Sequence, residues 1–321
     1  MNVAAQHRTV PISVIICTRN RPDDIQRCLD SLTRVNYPQW NIFIVDQSDD
    51  DVTRTVVEYF QHRLPRVHYY AMYDKGLSRA RNKGVEMADG EIVAFLDDDC
   101  TVEADWLRQV VGAFDRYPRA ALVFGAVLAA PHDASKYSVP IHKAPEEVVL
   151  RGRLDRLRAL GMGASMYVRR SAVRRVGIFD VHLGAGSGVF ECTEESDFVY
   201  RCMELGCSVV ETPHISVTHY GLREYAGGTM ARLLRSYPYS EGSFHMKLLR
   251  AGDVTIFPLM VTELGHYLGQ VRPLNALRGR PTHAMWASRY VYGIVASFKF
   301  NVDRRRRLFV TKGRWTSGTR S

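Results

Sequence analysis

Four short β-rich runs, each followed by a stretch of helical periodicity, constrain this chain more than any other feature. They are ISVIIC (12–17), IFIVD (42–46), VHYYA (67–71) and IVAFL (92–96). After the first, Ile25, Cys28, Leu29 and Leu32 recur at i, i+3, i+4 and i+7, behind Pro22 and the acids Asp23 and Asp24, which suit a helix N-terminus. The same periodicity predicts helices over 52–60 and 77–87. Strand–helix alternation of this kind predicts an α/β sheet with helices on its faces. Ligands of such sheets bind beyond the carboxyl ends of the strands. Asp46 and the run Asp97, Asp98 and Asp99 fall there.

Further along, the pattern predicts a helix over 106–114, a strand over 122–128 and a loop-like stretch around Pro131, Pro140 and Pro145. A second half resumes with GASMYV (163–168), a helix over 194–205 and two short strands ending at His219. The expected division is an arm over 1–10, a main domain over 11–220 with halves 11–130 and 131–220, and a helical, basic region over 221–321. At 321 residues and 46% hydrophobic, the chain can bury a large core with an appendage.

The net charge of +9 is unevenly spread. Residues 272–321 hold 12 Lys/Arg against the single acid Asp303, which leaves 1–271 at −2. A basic tail on a near-neutral body suits an anionic surface, whereas a nucleic-acid enzyme would spread basic residues around its cleft. Nucleic acid is therefore disfavoured as a partner. The segment 285–300 followed by Arg304–Arg307 reads either as an interfacial amphipathic element with a polybasic flank or as an ordinary packed helix with a solvated charge run. Glu263 and His266, and Arg289 and Lys299, interrupt the two longest apolar stretches. The six cysteines are dispersed without a CxxC pair and no secretory signal precedes them, so free thiols in a reducing, cytoplasmic compartment are expected.

Three acids in a row at a strand end repel one another, and burying them is costly without a compensating cation. Hard oxygen ligands suit Mg²⁺ or Mn²⁺. Around this run the ordered pieces VIICTRNRP (14–22), IVDQSDDD (44–51), GLSRARNKGVEMADGEIVAFLDDD (76–99), GMGASMYVRRSAVRRVGIFD (161–180) and EESDFVYRCMELG (194–206) resemble glycosyltransferase family 2. That family has the GT-A fold, a Rossmann-like mixed sheet flanked by helices. The resemblance covers 11–220, about two thirds of the chain.

It implies that Thr18 and Asp46 contact the base and ribose of a nucleotide, with Arg19 and Arg81 near it. Asp98 would hold the ribose or donor sugar, Asp97 would support the turn, and Asp99 would hold the divalent metal. His219 matches a position near diphosphate and metal, and a neutral imidazole is a competent Mn²⁺ ligand. Glu195 matches the general base that deprotonates the acceptor, though a Glu reaches one methylene further than the usual Asp, so Glu194 or Asp197 also qualifies. The acceptor is expected around 161–166, with Gly163, Ala164 and Ser165, over 183–193 with the glycine-rich LGAGSG (183–188), and beside Glu194 and Asp197.

A carboxylate can accept the uracil imide N–H, so Asp46 favours a UDP- or dTDP-sugar donor. Gln47 stands where an acid is common. The implied reaction is metal-assisted inverting transfer to a hydroxyl of a glycan, a lipid-linked intermediate or a small molecule, at the cytoplasmic face of a membrane. The only RW, Arg314-Trp315, lacks the rest of the motif of polymer-extruding synthases, which favours one sugar per encounter. A nucleotidyltransferase would need a Gly-rich loop after the first strand, and CTRNRP has no glycine. A binding module that has lost catalysis is the non-enzymatic alternative.

Overall fold

The computed structural model describes residues 9–312 apart from 65, 153–154, 156–158, 160, 227 and 270–282. Most of the 1–10 arm, Pro273, Pro281, Arg314-Trp315 and the end of the basic tail lie outside the described residues. The chain forms two compact units, Met1–Phe179 with Glu194–Gly227, and Asp180–Thr193 with Gly228–Ser321. The segment 180–193, with LGAGSG, thus joins the second unit.

The first unit contains β1 (Ile12–Thr18), α1 (Pro22–Leu32), β2 (Trp40–Asp46), α2 (Val52–Gln61), β3 (Val67–Ala71), α3 (Leu77–Met87) and β4 (Ile92–Asp97). These are followed by β5 (Cys100–Thr101), α4 (Trp106–Arg116), β6 (Ala120–Ala129), β7 (Tyr137–Ser138) and β8 (Val148–Leu150). Then come β9 (Met166–Arg169), α5 (Arg170–Val176), α6 (Glu194–Glu204), β10 (Ser208–His219) and β11 (Arg223–Glu224).

Among the described residues one mixed sheet runs β3-β2-β1-β4-β9-β6-β10-β5, with β8 also on β10. The first four strands are parallel, and β9 runs antiparallel between β4 and β6. Because strand side chains alternate between faces, Val14, Ile16, Ile42, Ile44, Ala94 and Leu96 pack with α1 and α4. Ile15, Phe43, Val93 and Phe95 pack on the other side with Phe179 and Phe198. Both faces are covered, which is why the parallel strands read as continuous apolar runs. Each fully buried aliphatic side chain contributes roughly 1.5–3 kcal/mol.

Two departures from the sequence reading bear on the site. The two short strands expected before His219 are one strand, β10, whose pairing with β6 shifts between Glu211 and Ser216. Pro213 lies inside that break, and its missing N–H removes one rung of the ladder. The second departure is β5, too short to read from sequence, which pairs antiparallel with the end of β10 and sets Cys100 opposite His219.

The second unit holds α7 (Thr229–Arg250), α8 (Phe257–Gly269), α9 (His283–Ser297) and a hairpin of β12 (Phe300–Asp303) and β13 (Leu308–Thr311). Arg304–Arg307 form the hairpin turn, where the Asp303 carboxylate accepts from the N–H groups of Arg305 and Arg306. Among the described residues no helix is long and apolar enough to cross a membrane.

This unit is pinned by a fully buried pair in which Lys247 Nζ donates to Asp180 Oδ2 at 2.7 Å, with Phe309 N–H donating to the same oxygen at 2.8 Å. Removing one partner of such a pair costs about 3–5 kcal/mol. Lys247→Met is therefore expected to lower the unfolding free energy by about that amount in urea titrations. Burial pushes the Asp180 carboxyl up, but the Lys247 charge together with the hydrogen bonds of His182, Lys247 and Phe309 outweighs it and holds the group below its ordinary 3.8. Its stabilising contribution is therefore present above that value and is lost as pH falls through the folded-state value.

Candidate active site

The register of the parallel strands assembles the site. Thr18 pairs with Asp46 across β1 and β2, and Cys17 pairs with Asp97 across β1 and β4, so the polar strand ends lie side by side. Asp46 is buried and its carboxylate accepts from Tyr69 Oη at 2.7 Å and from Ser48 N at 2.8 Å. It lines a cavity with Asp49, Arg54, Tyr69 and Tyr73.

On the turn after β4, Asp98 and Asp99 are buried to about 5% side-chain exposure, and Arg21 Nη1 reaches both, at 3.0 Å and 3.2 Å. His219 Nε2 lies 3.2 Å from Asp99 Oδ1, and Tyr220 N donates to Asp99 O at 2.8 Å. A Cβ at Gly221 would sit 2.6 Å from both Asp99 Oδ2 and His219 Cε1, so any larger residue there has to displace this pair.

A second guanidinium joins this turn to α6. Arg81, on α3, is buried over Phe95 and Phe179. Its Nη1 contacts Glu194 at 3.1 Å and Glu195 at 3.2 Å, and its Nη2 lies 3.7 Å from Asp97. Gly163 lies against the Arg81 guanidinium and the Glu195 carboxylate, with no space for a Cβ.

Five carboxylates thus gather around two guanidinium groups, and their acidities record the imbalance. Burial pushes Asp98 up to about 7 against the pull of Arg21. It raises Asp97 as well, with Arg81 opposing. Glu194 rises to about 8, through burial first and then the neighbouring Glu195. Burial acts the same way on Asp99, but the hydrogen bond and charge of His219 outweigh it and hold Asp99 below the usual range. His219 moves up in return, Asp99 overcoming the effect of burial.

The donor set fits a divalent cation. One ligand atom each from Asp99, Cys100 and His219 lies within 4.8 Å of the others, and His219 Nδ1 is buried without a hydrogen-bond partner. Carboxylate and imidazole suit Mn²⁺ or Mg²⁺. Burial holds the Cys100 thiol well above its ordinary value, so it stays protonated and is a poor ligand for a hard ion.

Other expected site residues sit elsewhere. Arg19 is half exposed and pairs with Asp49 at 3.5 Å. Ala164 and Ser165 are buried, the Ser165 hydroxyl bonding Tyr167 Oη, which accepts from Trp106 Nε1 at 2.7 Å. Asp197 is committed to Arg201 at 2.9 Å. Gln47 bonds the carbonyls of Asp74 and Gly76, bracing the loop after β3. Arg21 is the site residue that sequence reasoning misses. In TRNRP its only signal is a second arginine beside Arg19, and the turn at Asn20 decides which of them reaches the acids.

A doubly covered mixed α/β sheet with acids gathered at its strand carboxyl ends places a polar site where ligands of such sheets bind. The family model for "Glycosyl transferase family 2" matches residues 13–182. The chain belongs to that family. Among curated proteins it is 28% identical to "Glycosyltransferase AglE" of Haloferax volcanii over 60% of this chain and 64% of that one. It is 29% identical to the "Glucosyl-dolichyl phosphate glucuronosyltransferase" of the same organism, over 36% of this chain and 38% of that one. The chain thus spans less than two thirds of the length of these relatives. Among solved structures, S. aureus TarS 1-349 in complex with UDP-GlcNAc superposes with a TM-score of 0.54 at 17% identity, covering 72% of this chain and 66% of that one. That likeness establishes the shared GT-A type fold.

Proposed function

We propose that this chain transfers a single sugar from a UDP- or dTDP-sugar to an acceptor hydroxyl, with inversion at the anomeric carbon. The observation that carries the reading is Arg81, whose one guanidinium touches both the acid run after β4 and the Glu194-Glu195 pair on α6. Donor-side and acceptor-side carboxylates are thereby held within one side chain's reach.

Asp99 and His219, with Asp98 beside them, are the residues that would hold Mn²⁺ or Mg²⁺, and such an ion supplies Lewis-acid neutralisation of a diphosphate leaving group when bound. Thr18 and Asp46 receive the base and ribose. Glu194 keeps its proton at neutral pH, so the Glu pair does not ionise twice against Arg81. Glu195 is the more open of the two, with 23% of its side chain exposed against 6% for Glu194. It takes the acceptor's proton, and a single displacement with the base opposite the leaving group inverts the centre.

A lipid-linked acceptor agrees with the dolichyl phosphate in the name of one relative. Peripheral contact with an anionic membrane is supported by the exposed Val291, Tyr292 and Val295 on α9 and Phe298 just beyond it, followed by exposed Arg304–Arg306. The whole reading is tested by thermal shifts with a panel of nucleotide sugars and Mn²⁺ or Mg²⁺. A UDP- or dTDP-sugar with the ion should raise Tm by several degrees, corresponding to about 2.7 kcal/mol at a hundredfold excess over Kd. No shift with any of these sugars, or an equal shift with the ion chelated, would refute it.

A further inference from the structure

Among the described residues, Arg21 is the side chain that bridges Asp98 and Asp99, its Nη1 lying 3.0 Å from one carboxylate and 3.2 Å from the other. The acids are about 5% exposed while the arginine side chain is 42% exposed, so it closes over them from the solvent side. It can leave without unpacking the core. The backbone beneath it cannot. Asn20 has a φ of 55°, a left-handed conformation that asparagine tolerates, and its amide exchanges two 2.8 Å hydrogen bonds with Asp49. Asn20 N also donates to Ser48 Oγ at 2.8 Å, and Pro22 fixes the start of α1. The arginine is therefore anchored at its Cα and free to swing at its head.

A guanidinium and a divalent ion drawn to the same two carboxylates disfavour one another, since like charges repel at that distance. We propose that Arg21 is a resident counter-ion. It holds Asp98 and Asp99 in the unliganded protein and competes with the divalent cation for them. It moves to the diphosphate when a donor arrives, so that cation uptake depends on the nucleotide. Guanidinium suits this exchange because its planar fork pairs with phosphate as well as with carboxylate. The inference rests on the nucleotide-diphosphate donor reading above.

The test is Mn²⁺ binding to the whole chain, followed by the electron paramagnetic resonance signal of the free ion, with and without UDP or dTDP. In the parent protein UDP should tighten Mn²⁺ binding about tenfold or more, within the usual range for coupled ligands. Arg21→Gln should bind Mn²⁺ alone about tenfold more tightly than the parent and lose most of the UDP effect. Arg21→Ala should do the same, and Arg21→Lys, which keeps the charge, should stay near the parent. Mn²⁺ binding by Arg21→Gln and Arg21→Ala that is no tighter than the parent's, or a full UDP effect in both, would overturn the proposal. Should UDP and dTDP both leave Mn²⁺ binding unchanged in the parent, the nucleotide-dependent loading fails, and the thermal shifts with nucleotide sugars decide the donor reading separately. The Mn²⁺-only comparison then still decides whether Arg21 competes.

Discussion

Asp99→Ala is expected to cut sugar transfer by about a thousandfold, because losing the carboxylate that would hold the cation removes the charge offset to the leaving diphosphate. Asp99 combines 5% side-chain exposure, the 3.2 Å contact with His219 and the 3.2 Å contact with Arg21. It is also the acid of the run held below the usual carboxylate range, so it is ionised at neutral pH and ready to bind a cation. Asp97 is one-third exposed and its carboxylate lies 3.7 Å from Arg81, so Asp97→Ala should cost much less. UDP release measured with added Mn²⁺, beside a melting curve for each variant, separates these outcomes. A folded Asp99→Ala protein with parental turnover would eliminate Asp99 as the cation ligand.

The second large effect is expected at Glu195. Glu195→Gln should lower turnover by about 10²–10⁴, the usual contribution of a positioned base. Donor affinity should change little, because Gln keeps the length and a hydrogen-bonding oxygen toward Arg81, and the expected base contacts are at the ends of β1 and β2. Glu194→Gln makes the contrast. That carboxyl is raised from 4.5 to about 8 in the folded chain, so the native state holds a proton that the unfolded chain gives up. Its contribution to stability is complete below about 4.5 and disappears as pH rises through about 8. Urea midpoints across that window should fall with pH in the parent and fall less steeply in Glu194→Gln. Parental turnover in Glu195→Gln, with loss of turnover in Glu194→Gln instead, would move the base one residue along α6.

Much of the fold is legible in consecutive residues. The parallel strands β1 to β4 were legible because both of their faces are covered, so they appear as unbroken apolar runs between helices of period 3.6. The boundary of α1 was legible because Pro22, Asp23 and Asp24 each suit a helix start for a local reason. Locality also explains the failures. β5 has two residues and no pattern of its own, and β10 looked like two strands because Pro213 interrupts its pairing rather than its direction. The basic run Arg304–Arg307 looked like a flank to a helix and is the turn of a hairpin, which depends on pairing with β13.

The same division holds at the site. Sequence alone determined which acids stand at strand ends, because Asp46 and Asp97–Asp99 follow directly on apolar runs whose length sets where each strand stops. Tertiary structure decided which of those acids meet which bases. Arg21 rather than Arg19 reaches Asp98 and Asp99, because Asn20 turns through a left-handed conformation tied to Asp49. Arg81 meets Glu194 and Glu195 across a sequence separation of more than a hundred residues. His219 arrives beside Asp99 because β10 pairs with β5. Strand ends are written in consecutive residues, whereas contacts between charges depend on register and loop conformation, which packing of the whole unit sets.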